Sequence, residues 1–309
     1  MTQTKKKVGK KIMKWILLVL LAIFVLYFLI QGILCLIGIN KANKKLKEYN
    51  VQTASLSYGD MTYIDEGEGE VILSVHGIFG GYDQAYETVK GRKDKNRLIA
   101  PSRFGYLGSD VKGDGSPKEQ AKAYNELLEY LEIEQVFVLA TSAGGTPAIR
   151  FCLDFPEKVK GLILYCSAMP VPEKPENYLK YQAPPPPLLT DYGMYLISPL
   201  MPVMMGMPIK TVQDIKPVFK RRKGVILDGK LTNPDMERNF DEYIIENLTM
   251  PVLILHSEDD NVASYKKVLA AKDRFPNLKL VSFPTGGHMM SGNGEAIERE
   301  LNDFINIHQ

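Results

Sequence analysis

A serine, an acid and a histidine lie in three short stretches whose surroundings suit acyl transfer. Ser142 sits in Ala140-Thr141-Ser142-Ala143-Gly144-Gly145, Asp260 in Ser257-Glu258-Asp259-Asp260-Asn261-Val262, and His288 closes Gly286-Gly287-His288. A free serine hydroxyl is a weak nucleophile and needs a positioned base. His288 is the best base among four histidines, because it alone combines a late loop after a strand with adjacent glycines. An acid in the middle loop would hold the imidazole in its working tautomer and stabilise the imidazolium. Asp260 is preferred there, with Glu258 and Asp259 close enough to compete. The developing oxyanion needs main-chain N–H donors placed in advance. Ala143, directly after the serine, supplies one, and Ile78 in the turn His76-Gly77-Ile78-Phe79-Gly80-Gly81 supplies the other. His76 reads as a structural hydrogen-bonding group that orients this turn.

Such side chains are far apart in sequence, so regular elements must bring them together. Residues 135–139, 252–256 and 278–283 are apolar runs of strand length, and each precedes one of the three stretches. Residues 71–75 and 97–100 read as further buried strands, and 161–166 as another. Residues 51–58 and 61–65 form a hairpin with its turn at Gly59-Asp60. Helical spacing covers 117–131 with Ser116 as N-cap, 145–155 stopped by Pro156, 264–274, and a closing amphipathic helix over 295–307. Strands alternating with helices argue for a mostly parallel twisted sheet covered on both faces. The alternation breaks between about residues 168 and 249, too long a stretch for an ordinary loop. It holds Pro184–Pro187 and the methionines 201, 204, 205 and 207, and reads as a helical cap that also shapes the substrate pocket.

The net charge of +2 hides a strong asymmetry. Residues 1–50 carry ten lysines and one acid; residues 51–309 keep the other 28 basic and 35 acidic residues, a net of −7. No basic patch stands out in this acidic body, so no nucleic-acid partner is expected. Cys35, Cys152 and Cys166 show no metal or CxxC spacing and read as small buried hydrophobes. Residues 15–39 are apolar but for Gln31, long enough for a membrane span and longer than a signal peptide's apolar region. The expected organisation is a basic tail over 1–14, a transmembrane anchor over 15–39, a linker over 40–50 and one catalytic domain over 51–309. Six lysines before the span against four after it place the N-terminus in the cytoplasm and the catalytic domain outside.

Taken together, His76-Gly77, Ser102 to Ser109 (Ser-Arg-Phe-Gly-Tyr-Leu-Gly-Ser), the Ser142 elbow, Ser257 to Asp260 and Gly287-His288 resemble the α/β-hydrolase fold superfamily over about residues 51–309. The similarity lies closest to serine esterases, lipases and monoacylglycerol-lipase-like members. It implies the Ser142–Asp260–His288 triad, Ile78 and Ala143 as oxyanion donors, and hydrolysis of an ester with no metal or organic cofactor. Ala140 and Ser257 stand where the pattern has glycine, and neither change removes a reacting group. A serine at 142, where some relatives carry aspartate, argues against haloalkane dehalogenase or epoxide hydrolase chemistry. The expected activity is a membrane-anchored serine hydrolase acting on lipid-like or medium-chain acyl esters. Amide, thioester or C–C bond hydrolysis by the same triad and a non-catalytic binding module are the alternatives. No oligomeric state follows from the residues.

Overall fold

Eight strands pair into one sheet in the computed structural model, which describes residues 2–309 apart from the side chains of 2–9, 205 and 212. The strands are β1 (Val51–Leu56), β2 (Gly59–Glu66), β3 (Glu70–Val75), β4 (Asn96–Pro101), β5 (Val136–Thr141), β6 (Val159–Tyr165), β7 (Val252–Ser257) and β8 (Leu278–Phe283). Their order is β1-β2-β4-β3-β5-β6-β7-β8, with antiparallel pairing at β1/β2 and β2/β4 and parallel pairing elsewhere. Central parallel strands are covered on both faces and therefore read as unbroken apolar runs. β5 is the clearest case, with all six residues buried. Its alternate residues serve different layers: Val136, Val138 and Ala140 join one core, Phe137 and Leu139 the other.

Helices α2 (Tyr82–Val89) and α11 (Gly294–His308) cover one face; α3 (Pro117–Tyr130), α4 (Gly145–Asp154) and α10 (Tyr265–Ala271) cover the other. Helix α3 begins as its sequence demands. Ser116 Oγ accepts the Glu119 N–H at 3.3 Å, and Pro117 occupies the first turn, where its missing N–H costs nothing. Helix α2 escapes the sequence reading, although Tyr82, Ala85, Tyr86 and Val89 show the i, i+3, i+4, i+7 spacing of its buried face. The first hairpin also differs from expectation. Leu56 pairs with Gly59, so the turn is Ser57-Tyr58 rather than Gly59-Asp60. Glu126 of α3 pins it, accepting from the Ser57 N–H at 2.8 Å and from its hydroxyl at 2.5 Å.

The 168–249 stretch is a cap of short helices: α5 (Asp191–Ile197), α6 (Met201–Met205), α7 (Ile209–Asp214), α8 (Arg222–Leu227) and α9 (Asn233–Arg238). Two reciprocal buried ion pairs fasten it to the sheet domain. Arg103 of the core donates to cap residue Asp228 through both terminal nitrogens at 2.6 Å, and Tyr106 donates to the same carboxylate at 2.5 Å. In return, cap residue Arg221 donates to Asp83 of α2 at 2.9 and 2.7 Å and to the Gly80 carbonyl at 2.7 Å. Bidentate guanidinium–carboxylate pairs fix orientation as well as distance.

At the other end, α1 (Thr2–Leu46) is one continuous helix. The expected linker over 40–50 is thus helical through Leu46, leaving only residues 47–50 outside the helix. Lysine is a good helix former, and the last turns gain partners: Leu46 joins the α2/α11 core and Lys45 lies 3.6 Å from Glu87.

Removing Asp228 leaves Arg103 buried without its counter-charge, a loss that costs about 3–5 kcal/mol in comparable pairs. Asp228→Ala is expected to lower stability by that order in denaturant unfolding of the detergent-solubilised chain. A change below roughly 1 kcal/mol would mean that the pair does not hold the cap.

Candidate active site

Ser142 follows β5 directly and adopts φ 51°, a left-handed conformation that costs a non-glycine residue about 1–2 kcal/mol. This reversal lifts the hydroxyl above the strand end while the chain enters α4. It works only because the β3 turn approaches very closely. A methyl at Gly144 would lie 2.6 Å from the Val75 and His76 carbonyl oxygens, and one at Gly77 would lie 3.0 Å from Ser142 Cβ. Ala140 lies inside β5, paired with Val75 and Leu164, so its methyl is accommodated as an ordinary strand side chain. β5 runs two residues beyond the expected 135–139 strand to reach the elbow.

The three expected side chains meet. Ser142 Oγ donates to His288 Nε2 at 2.9 Å, and His288 Nδ1 donates to Asp260 Oδ2 at 2.8 Å. Asp260 Oδ1 accepts the Val262 and Ala263 N–H groups at 2.7 and 3.0 Å. Burial alone would raise this carboxyl, but hydrogen bonds from His256 and His288 outweigh it and hold Asp260 well below the usual range. It is an anion whenever the site is folded near neutrality. Its two rivals have other duties. Asp259 accepts the Gly287 N–H at 2.9 Å and the Gly286 N–H at 3.3 Å, which anchors the histidine loop. Glu258 accepts the Ser282 hydroxyl at 2.9 Å.

His256 is the residue that the sequence reading left without a role. Its Nε2 lies 2.6 Å from the Ala263 carbonyl and 3.3 Å from Asp260 Oδ2, while its Nδ1 is buried without a partner among the described residues. The neutral tautomer protonated at Nε2 fits that environment. The only advance signal is its spacing, four residues before the acid at the end of a strand. Ile78 and Ala143 line the same cavity as Ser142, between the β3 turn and the start of α4. The turn itself is braced by His76, whose Nδ1 donates to the Gly77 carbonyl at 2.7 Å while Nε2 accepts the Arg103 N–H at 2.9 Å.

The cavity measures about 330 Å³, small among ligand sites. Ile78, Met169, Met236 and Val262 give it apolar walls; Gln182, Asn233 and Glu237 of the cap and Lys267 of α10 make it partly polar. Met201 and Met204 of the cap do not line it, and the side chain of Met205 lies outside the described residues. Met201 packs with Phe79 and Tyr106 in a separate small core, and Met204 faces outward. Cys166, Asp260 and His288 also offer three ligand atoms within 4.8 Å of one another. Burial pushes the Cys166 thiol up, so it stays protonated, and the acid and imidazole already satisfy each other. That grouping is a poor cation site.

Residues 70–203 match the family model described as alpha/beta hydrolase fold. The chain has the α/β-hydrolase fold. It is 25% identical to an uncharacterized hydrolase of Bacillus subtilis over 80% of this chain and 95% of that protein. It is 22% identical to a 2-hydroxymuconate semialdehyde hydrolase of Pseudomonas putida over 78% and 89% of the two chains. Among solved structures, an esterase from Exiguobacterium antarcticum superposes with TM-score 0.67 at 19% identity, covering 82% of this chain and 99% of that one.

Two outcomes are expected from the histidines of the site. His256→Phe removes a donor to a buried carboxylate, worth about 1.5–3 kcal/mol. It should lower kcat of an active preparation with little effect on KM, and His256→Gln should recover part of the loss. An unchanged kcat in His256→Phe would remove His256 from the site. His76 is held well below its ordinary pKa, first by burial and then by the nearby Arg103. The unfolded chain therefore binds a proton that the folded chain refuses once pH falls below about 6.5. Stability should drop on acidification from there, by at most about 1.4 kcal/mol per pH unit from this group. Chemical unfolding at pH 7, 6 and 5 measures the slope, which should flatten in His76→Asn.

Proposed function

We propose that the chain is a membrane-anchored serine hydrolase that cleaves carboxylic esters of medium-length, lipid-like acyl groups. The observation that carries this reading is the unbroken hydrogen-bonded line Ser142–His288–Asp260, with Ser142 lining a cavity beneath the cap. In the first half-reaction Ser142 Oγ attacks the ester carbonyl and His288 Nε2 takes the hydroxyl proton. The Ile78 and Ala143 N–H groups receive the oxyanion, aided by the positive N-terminal end of α4. The carbonyl then re-forms, the alcohol departs with the proton from His288, and the acyl group remains on Ser142. In the second half-reaction His288 deprotonates water, which attacks the acyl-enzyme and releases the acid. Asp260 keeps its charge throughout and stabilises the imidazolium.

The substrate class rests on the cavity and on α1. Apolar walls and a volume of about 330 Å³ suit one acyl chain of moderate length. The 37-residue stretch Lys10–Leu46 has a mean hydropathy of 2.9 in its most apolar window and none of that window is buried, which favours a lipid-bound location. Six lysines ahead of the span favour a cytoplasmic N-terminus and an extracytoplasmic catalytic domain. Hydrolysis of a C–C bond by the same triad is the second reading. The similarity to a 2-hydroxymuconate semialdehyde hydrolase over 78% of this chain and the polar Gln182, Asn233 and Lys267 in the cavity favour it.

A fluorophosphonate probe should label the wild-type chain, and Ser142→Ala should abolish labelling. Ser142→Ala and His288→Ala should each lower ester turnover by roughly 10⁴–10⁶-fold. Across p-nitrophenyl esters from acetate to palmitate, kcat/KM should peak at intermediate length. A peak at acetate would end the lipid-like reading, turnover of a 2-hydroxy-6-oxo-dienoate with inert esters would favour the C–C reading, and folded protein that never labels would remove both.

A further inference from the structure

The way α1 is held determines how deep the cap must sit. From Lys10 to Tyr27 the helix is exposed on every side. Its apolar part, residues 15–27, spans about 20 Å at 1.5 Å each, shorter than the roughly 30 Å hydrocarbon core of a bilayer, a mismatch that local thinning and the snorkelling stems of Lys10, Lys11 and Lys14 accommodate. From Phe28 onward one side is covered by the cap. Tyr192 of α5 donates its hydroxyl to the Phe28 carbonyl at 3.0 Å, Cys35 is only 3% exposed, and Gly38 faces Lys216 Nζ. A hydrocarbon core ending at residue 39 would submerge Tyr192 by (39 − 28) × 1.5 Å, about 16 Å. A boundary near Phe28 removes that conflict and brings the cap to the membrane surface.

The cap has the surface for such a position. Leu196, at the end of α5, opens a run of outward apolar side chains: Leu200 is 54% exposed, Val203 85% and Met204 56%. Ile209 and Phe219 continue it. Here the acidic body turns basic, with six Lys or Arg and one acid across residues 192–227. Of these, Lys210, Lys220, Arg222 and Lys223 are exposed beside the apolar residues. A bilayer offers acyl chains to the first group and anionic headgroups to the second. Helix α6 is also tied to the site, because a methyl at Gly206 would sit 3.0 Å from Gly287 Cα, next to His288.

We propose that this cap face is a membrane-resting surface. It lies in the headgroup–acyl boundary of an anionic leaflet beside α1, so that substrate enters the site from lipid. The inference rests on the reading of the chain as an anchored ester hydrolase, and its test separates the two. The full chain, carrying a single nitroxide at Ile23→Cys, Val203→Cys or Tyr130→Cys, is reconstituted in vesicles of phosphatidylcholine and phosphatidylglycerol. The native cysteines are buried. Labels at 23 and 203 should relax with dissolved oxygen, and the label at 130 with a water-soluble nickel chelate. Lipid exposure at 23 with water exposure at 203 overturns the cap surface and leaves the anchor standing. Water exposure at both overturns the anchor and the cap surface with it. As an activity readout, Val203→Glu should lose at least about tenfold against an ester embedded in vesicles while keeping its rate on a soluble short-chain ester in detergent. Equal rates on both would also overturn the proposal.

Discussion

The site depends on one close approach: the turn after β3 packing against the elbow after β5. Ser142 can hold its left-handed backbone only while surrounding contacts over-determine it. Those contacts exist because no Cβ intervenes at Gly77 or Gly144, where the nearest heavy atoms lie 3.0 and 2.6 Å from the position of an added methyl. The same approach sets Ile78 and Ala143 on one wall of the cavity. The placement of Ser142 beside Ile78 and Ala143 is therefore the product of a single packing contact between neighbouring parallel strands.

Electrostatics then determine which acid serves the base. Three consecutive acids occupy the loop after β7, and their fates diverge through the groups they face. Asp260 is enclosed by two main-chain N–H groups and two imidazoles, which offsets the desolvation of its charge. Asp259 instead satisfies the backbone of Gly286 and Gly287 and so carries the histidine loop. The turn after β3 has a comparable support. Arg103 donates to the Gly77 carbonyl at 3.2 Å while it pairs with Asp228, so the core–cap ion pair also reaches the main chain beside Ile78. Cap position and turn geometry are mechanically coupled.

The cap divides its apolar residues between two jobs. Met169 and Met236 face the cavity, whereas Leu200, Val203 and Met204 face away from the protein. Helix α1 is likewise divided, with one part exposed all round and one part packed on the cap. A helix docked in this manner has its direction fixed relative to the sheet domain.

Much of this was legible in the residues alone. Buried strand runs, helix stops at Pro156 and the late Gly287-His288 define an alternating α/β chain, because two-residue and 3.6-residue periodicities are local properties. Small residues around Ser142 and its place after an apolar run mark the elbow for the same reason. What tertiary structure alone decided is every relation between distant groups. The separate duties of Glu258 and Asp259, the partnership of His256 with the already preferred Asp260, and the reciprocal Arg103–Asp228 and Arg221–Asp83 pairs depend on which atoms face one another after folding. The destination of the cap methionines and the docking of α1 are of that kind too. Composition records that such side chains exist; direction and burial, which set their energies, belong to the packed chain.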